Sequence, residues 1–240
     1  MNKPLGRKAY GSIGHLPASR MGPGDHACPE GYGRICCEKP RDKHDRIIVQ
    51  EKLDGSCCAV AKVNGEIIPL GRAGWPAITS PYEQHILFHG WAMERWTLFN
   101  ELLQEGERVV GEWLAQAHGT RYQLNHEPFV AFDIMREDKR ICWPDFYLRV
   151  YGVLPYPHML GWGPLSVEDA IAAVQKENWH GALDPIEGII YRVERRFSGN
   201  YKVDFLAKYV RPDKVDGSYL PEMSGGEPVW NWRPNHKAAE

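Results

Sequence analysis

Apolar residues in this chain gather more often into short blocks than at helical spacing, and the blocks fall at strand length. Residues 46–50 and 57–63 are such blocks, and they predict two strands joined by the short polar stretch Glu51-Lys52-Leu53-Asp54-Gly55-Ser56. Asn64-Gly65 follows the second block, and both central positions of a type I′ turn need positive φ, so a hairpin into residues 66–70 is expected. Residues 108–114, 129–135, 148–151, 188–193 and 204–210 carry the same signal and predict further strands. Two segments read as helices. Ser80 and Glu83 form a capping box with Pro81 at the first helical position, and Phe88, Trp91, Ala92, Phe99, Leu102 and Leu103 recur on one face, predicting a helix over 81–105. Trp91 and Trp96 on it are read as core and rim. Ser166, with Asp169 three residues on, starts a second helix over 167–177. Residues 1–45, rich in Gly, Pro and charge, are expected as irregular structure wrapped on the main domain. The result is an α+β fold of mainly antiparallel sheets flanked by helices. Its expected divisions are an extension over 1–45, a catalytic domain over 46–215 and a tail over 216–240.

Composition narrows the function classes. A chain of 240 residues that is 43% hydrophobic can bury a sizeable core. Its net charge of -2 gives no global basic field, so a nucleic-acid partner would be held by a local patch. The first twenty residues lack the apolar segment of an export signal and no stretch has the length of a membrane span, so a soluble cytoplasmic protein with no membrane partner is expected. Cys36-Cys37 and Cys57-Cys58 are adjacent pairs in a chain without an export signal, which favours reduced thiols. The spacing of His26, Cys28, Cys36 and Cys37 matches no recognised structural zinc pattern.

Charges on the strands supply the candidate chemistry. Residues two apart on a strand share a face, so Lys52 and Asp54 should look into one cleft. Glu112, Asp133, Glu187 and Lys208 each interrupt or open an apolar run, and an unpaired buried charge is costly, so each is expected to face a polar cleft or ligand. Lysines match phosphates and carboxylates match Mg²⁺ or its waters, so the set suits an anionic ligand with a divalent metal.

The order Lys52-x-Asp54-Gly55, Gly111-Glu112, Phe132-Asp133-Ile134, Glu187-Gly188 and Lys208 resembles the covalent nucleotidyltransferase superfamily of ATP-dependent ligases and capping enzymes. The resemblance covers residues 46–211. Ser56 stands where polynucleotide DNA ligases usually carry a basic residue, and Phe129-x-Ala131-Phe132-Asp133-Ile134 is similar to the corresponding strand of RNA ligases, so the chain looks most like an ATP-dependent RNA ligase.

The resemblance implies that Lys52 attacks the α-phosphate of ATP to form lysyl-AMP. Phe132 would stack on adenine, Glu112 would bond the ribose, and Arg72 would contact the ribose or the end phosphate. Glu51 would border the nucleotide site. Glu187, with Asp54, would organise Mg²⁺ or Mn²⁺, and Lys208 would engage the α-phosphate. AMP would pass to an RNA 5′-phosphate and a 3′-hydroxyl RNA end would displace it. The family commonly has a second lysine two residues after the last one, but Val210 stands there, leaving Arg211, Lys202 or Lys214 as the second cation. The stretch after Lys208 is too short for the OB-fold of DNA ligases and capping enzymes. His15, Ser19, Arg20 and His26 in the extension are the candidates to line a polynucleotide path. A DNA ligase, a GTP-using capping-type enzyme, and a nucleotide- or RNA-end-binding protein without turnover are the competing readings.

Overall fold

The computed structural model describes residues 2–234; Met1 and residues 235–240, the end of the expected tail, lie outside the described residues. The strands are β1 (Gly14–His15), β2 (Arg46–Lys52), β3 (Ser56–Val63), β4 (Glu66–Gly71), β5 (Glu107–Trp113), β6 (Phe129–Arg136), β7 (Lys139–Arg140), β8 (Met159–Trp162), β9 (Gly188–Phe197) and β10 (Asn200–Val210). The helices are α1 (Tyr32–Cys37), α2 (Glu83–Glu94), α3 (Trp96–Leu102), α4 (Trp143–Val150), α5 (Val167–Glu177) and α6 (Pro221–Ser224). The strands form two five-stranded sheets, ordered β1-β10-β9-β2-β8 and β4-β3-β5-β6-β7. Every pairing is antiparallel except that of β1 with β10.

Side-chain alternation along the strands decides what each sheet face covers. On β2, Ile47 and Val49 join Ile189, Tyr191 and Val193 of β9 in a core closed by α1 and α5, which leaves Gln50 and Lys52 for the other face. On β3, Cys58 and Val60 point to the core under α2, α3 and α4, whereas Ala59 and Ala61 meet Ala9 and Tyr10 of the N-terminal segment. The Asn64-Gly65 hairpin has φ of 54° and 77°, the left-handed pair its type needs.

Three expectations are corrected. The helix over 81–105 is two helices broken at Arg95, whose amide closes a short turn onto Ala92 and whose guanidinium bonds the Trp91 carbonyl. The capping box does not form: Tyr82 occupies the cap position, and Ser80 Oγ accepts from the Tyr82 amide and meets His85 Nδ1 at 2.7 Å. The strand expected over 148–151 is the end of α4, where Trp143, Phe146 and Val150 are the buried face and Pro144 sits in the first turn. By contrast Ser166 does accept from the Asp169 amide, and α5 has the expected bounds. No helix among the described residues is long and apolar enough to cross a membrane. All six cysteines are free.

A histidine cluster drawn from three loops gives a pH prediction. His126 Nε2 lies 2.8 Å from His180 Nδ1, and His158 stacks on Trp179. Burial, then the neighbouring His126 and His158, holds His180 down to about 3 from its ordinary 6.5. Above 6.5 neither the folded nor the unfolded chain is charged at this position; below it only the unfolded chain takes the proton, so stability falls as pH drops from 6.5 toward 3. Each such proton tilts stability by about 1.4 kcal/mol per pH unit. Urea midpoints of wild type and His180→Phe, compared from neutral pH down to about pH 5, should show a shallower decline in the variant; parallel declines would remove His180 as the cause.

Candidate active site

A cleft of about 1110 Å³ opens where the two sheets meet and takes its lining from both. From the first sheet come Glu51 and Lys52 at the end of β2, Glu187 just before β9, and Lys208 on β10; from the second come Arg72 just after β4, Glu112 on β5 and Phe132 on β6. Asp54, in the turn between β2 and β3, lines it as well. These eight residues, scattered over 158 positions of sequence from Glu51 to Lys208 counted inclusively, border one space.

Register explains how they meet. Lys52 pairs with Gly188, which puts Glu187 beside it, and the two side chains join at 2.5 Å between Nζ and Oε2. A Cβ at Gly188 would run into the carbonyl oxygen of Tyr209, so this close crossing of β9 and β10 requires glycine. In the β5–β6 pair the register steps between Val110 opposite Asp133 and Gly111 opposite Ala131, leaving Phe132 as the unpaired residue of a bulge. The bulge turns Phe132 to the cleft, with its ring edge-on to Tyr10 at 5.2 Å.

Electrostatically the floor of the cleft is a lysine among carboxylates. Burial works against the charge on Lys52, but Glu187, then Glu112 and Asp54, outweigh it and hold the amine above the ordinary lysine range. Burial pushes Glu112 up to about 8, with Glu187 and Asp54 adding to the effect against Lys52. Its Oε1 accepts the Gly55 amide at 3.1 Å. Glu51 is also pushed up to about 8 by burial. Asp54 Oδ2 accepts from the Gly119 amide at 2.9 Å and from Lys214 Nζ at 2.5 Å, and the Asp54 amide donates to the Tyr122 hydroxyl.

Lys208 meets Asp25 at 3.1 Å between Nζ and Oδ1, a contact that sequence reasoning missed; its signal was an acid in the Gly22-Pro23-Gly24-Asp25 turn. Asp25 also faces His15 Nε2 at 3.1 Å and accepts the Gly22 amide at 2.9 Å. His15 and Arg20 line the cleft, Ser19 Oγ accepts the Val210 amide, and His26 lines a separate small recess with Cys28 and Arg140. Among the second-cation candidates, Lys214 is buried against Asp54, and Arg211 pairs with Asp213. Lys202 lies exposed near the β9–β10 turn, away from the cleft.

Asp133 corrects the expectation that it faces a cleft or ligand. It is 1% exposed and sits behind Phe132, accepting from the Tyr10 hydroxyl, Arg140 and Arg192. Its charge is satisfied by protein because the bulge that turns Phe132 outward turns Asp133 inward.

A buried amine, acids on either side of it, a second lysine and a half-buried aromatic face can bind a nucleotide and attack its phosphorus. Residues 45–210 match the sequence profile of the RNA ligase family. No curated protein sequence matches the chain. Among solved structures, an archaeal ATP-dependent RNA ligase superposes with a TM-score of 0.51 at 17% identity, over 84% of this chain and 48% of that one. A Naegleria gruberi RNA ligase variant with AMP and Mn gives 0.51 at 16% identity, over 70% and 50%. A putative ATP-dependent DNA ligase from Aquifex aeolicus gives 0.50 at 15%, over 84% and 49%. This chain thus spans about half the length of the structures it matches, which share its fold of two mostly antiparallel sheets. With the family profile running from the start of β2 to the end of β10, through the strands that carry Lys52, Glu112, Phe132 and Lys208, the chain belongs to the RNA ligase family.

Proposed function

We propose that this chain carries the adenylylating catalytic unit, over residues 46–215, of a cytoplasmic ATP-dependent RNA ligase that joins 5′-phosphate and 3′-hydroxyl RNA ends. The observation that supports it best is the Lys52–Glu187 pair at 2.5 Å, set among Glu112 and Asp54 in a cleft that also presents Phe132 and Lys208. Lys52 rests protonated, and Glu187 Oε2, at 2.5 Å from Nζ, is the acceptor placed to take the proton when a bound nucleotide engages the lysine. The Nζ lone pair then forms a bond to the α-phosphorus of ATP while the bond to the β-phosphate oxygen breaks and pyrophosphate leaves. Lys208 balances charge on the α-phosphate, Phe132 stacks on adenine, and Glu112 bonds the ribose, with Arg72 at the ribose or the end phosphate. The lysyl-AMP so formed passes AMP to the 5′-phosphate of RNA, and the 3′-hydroxyl of the second end displaces it.

The donor set fits Mg²⁺ or Mn²⁺ held by few protein ligands. Among the described residues no three His, Cys, Asp or Glu side chains converge on one metal position; Glu187 pairs with the reacting lysine and Asp54 lines the same cleft. A hard cation bound by one or two carboxylates and completed by phosphate oxygens and water suits that arrangement, and it would neutralise charge on the leaving phosphates.

Incubation with α-labelled ATP or GTP and Mg²⁺, followed by denaturing electrophoresis, tests the reading: label from ATP alone is expected, and no label with either metal would end it. Matched substrates with ribose or deoxyribose at the 3′-hydroxyl end test the polynucleotide; equal sealing would favour a DNA ligase. Phe132→Ala should raise the KM for ATP by the equivalent of about 1 to 3 kcal/mol of lost stacking. A core phenylalanine would instead cost about 3 to 5 kcal/mol of stability. A lowered melting temperature with unchanged ATP dependence would reject the stacking role.

A further inference from the structure

The cleft is larger than the roughly 300–1,000 Å³ of a typical small-molecule site, at about 1110 Å³. Beyond the stretch between Lys52 and Phe132 the cleft has a further wall. That wall includes Trp75, 42% exposed, and Tyr82, 50% exposed. Large aromatic rings half open to water on the rim of a site mark a binding surface, since burial would have been favourable.

Both rings are held in place by the fold. The Trp75 carbonyl accepts the Gly71 amide at 3.0 Å, closing a tight turn in which Gly74 adopts φ of 88° and packs so closely on the Arg7 carbonyl that a Cβ has no room. Tyr82 sits at the start of α2 and meets the His85 ring edge-on at 5.7 Å. His85 is in turn fixed by two hydroxyls, Ser80 at Nδ1 and Ser56 at Nε2, each at 2.7 Å. Ser56 begins β3 directly after the Lys52–Gly55 segment, so the Tyr82 side of the wall is tied to the reacting lysine's own turn. Cations accompany the rings: Lys3 Nζ lies 5.2 Å from the Trp75 ring centre, and Arg72 is exposed on the same wall.

We propose that Trp75 and Tyr82 form a stacking platform for unpaired nucleobases of the RNA strand entering the cleft, with Lys3 facing its phosphates; this rests on the RNA ligase reading. Rigid aromatic faces beside cations bind single strands with little dependence on sequence, because every base presents a π-face. Continuity with the nucleotide cleft and the cation beside Trp75 favour RNA over a protein segment as the occupant.

Fluorescence anisotropy with a short labelled single-stranded RNA, and with an abasic ribose-phosphate chain of equal length, tests it without ATP. Wild type should bind the base-bearing RNA at least about fivefold more tightly than the abasic chain. Trp75→Ala and Tyr82→Ala should each weaken binding of the base-bearing RNA by about five- to a hundredfold, and Trp75→Phe and Tyr82→Phe should restore most of it. Equal affinity of wild type for the two chains, no binding of either, or alanine variants that lose nothing would each overturn the platform. ATP-dependent labelling of the same wild-type preparation judges the enzyme reading separately. Protein that labels but does not distinguish the chains overturns the platform alone, and protein that distinguishes them but never labels overturns the enzyme reading alone.

Discussion

Lys52→Ala should abolish ATP-dependent covalent labelling of the protein and leave it folded. Labelling requires a nucleophile that ends bonded to the α-phosphorus, and Lys52 is the amine set between Glu187 and Glu112 at the floor of the cleft. Lys214 is an amine too, but it does not line the cleft, and Lys208 stands on β10 against Asp25 at 3.1 Å, where the proposed mechanism uses it to balance phosphate charge. The fold should survive because the lost partner does not strand a charge. Burial already raises Glu187, and without Lys52 it takes up a proton and becomes a neutral acid, which avoids most of the cost of an unpaired buried ion. Two measurements check this: autoradiography after incubation with α-labelled ATP, and the urea unfolding midpoint. Label on the folded variant would move the nucleophile to another residue. The bond in wild type should be stable to base and labile to acid, as expected of a phosphorus–nitrogen link rather than an ester.

Much of the sheet framework could be read from local pattern, because strands of two opposed sheets keep their alternation and their turns keep their residue types. β2, β3 and β4 with the Asn64-Gly65 turn, and α5 with its Ser166 cap, depend on neighbours in sequence. The errors came where a local signal competes with a distant one. Leu148, Val150 and Tyr151 read as a strand in isolation, but Trp143, Phe146 and Val150 at helical spacing bury one face of α4. Ser80 was assigned to a cap, yet its hydroxyl is engaged by His85, which Ser56 holds from another element. Glu112, Glu187 and Lys208 are legible as charges on apolar runs and Lys52 and Asp54 from their shared strand face, whereas Glu51, Arg72 and Phe132 rest on the family resemblance; seven of these eight come from strands or the residues just flanking them. What no local pattern could give is partnership across the fold: Asp25 on Lys208, Lys214 on Asp54, and the bulge that separates the fates of Phe132 and Asp133.

Asp133→Ala should be the most destabilising substitution among the charged strand residues, by about 3 to 5 kcal/mol. Asp133 lies on β6 of one sheet and its ion-pair partner Arg192 on β9 of the other, so the pair bridges the two sheets beneath the cleft. Arg140 Nε and the Tyr10 hydroxyl bond the same carboxylate at 2.9 and 3.0 Å. Arg192 is 1% exposed and an arginine cannot shed its proton, so loss of the carboxylate strands a buried guanidinium. Lys52→Ala differs for this reason, since there the residue left behind can neutralise itself. A loss of this size consumes much of the roughly 5 to 15 kcal/mol that stabilises a domain. Arg192 also donates to the Phe132 carbonyl at 3.1 Å, so the bulge that presents the Phe132 ring should loosen and the KM for ATP should rise with the instability. Replacing both partners by apolar residues of similar volume, Asp133→Leu with Arg192→Met, removes the stranded charge and should recover part of the loss. Urea unfolding of the single and double variants measures both effects. An Asp133→Ala cost below about 1 kcal/mol, within the range of a surface pair, would show that the network is not what joins the sheets.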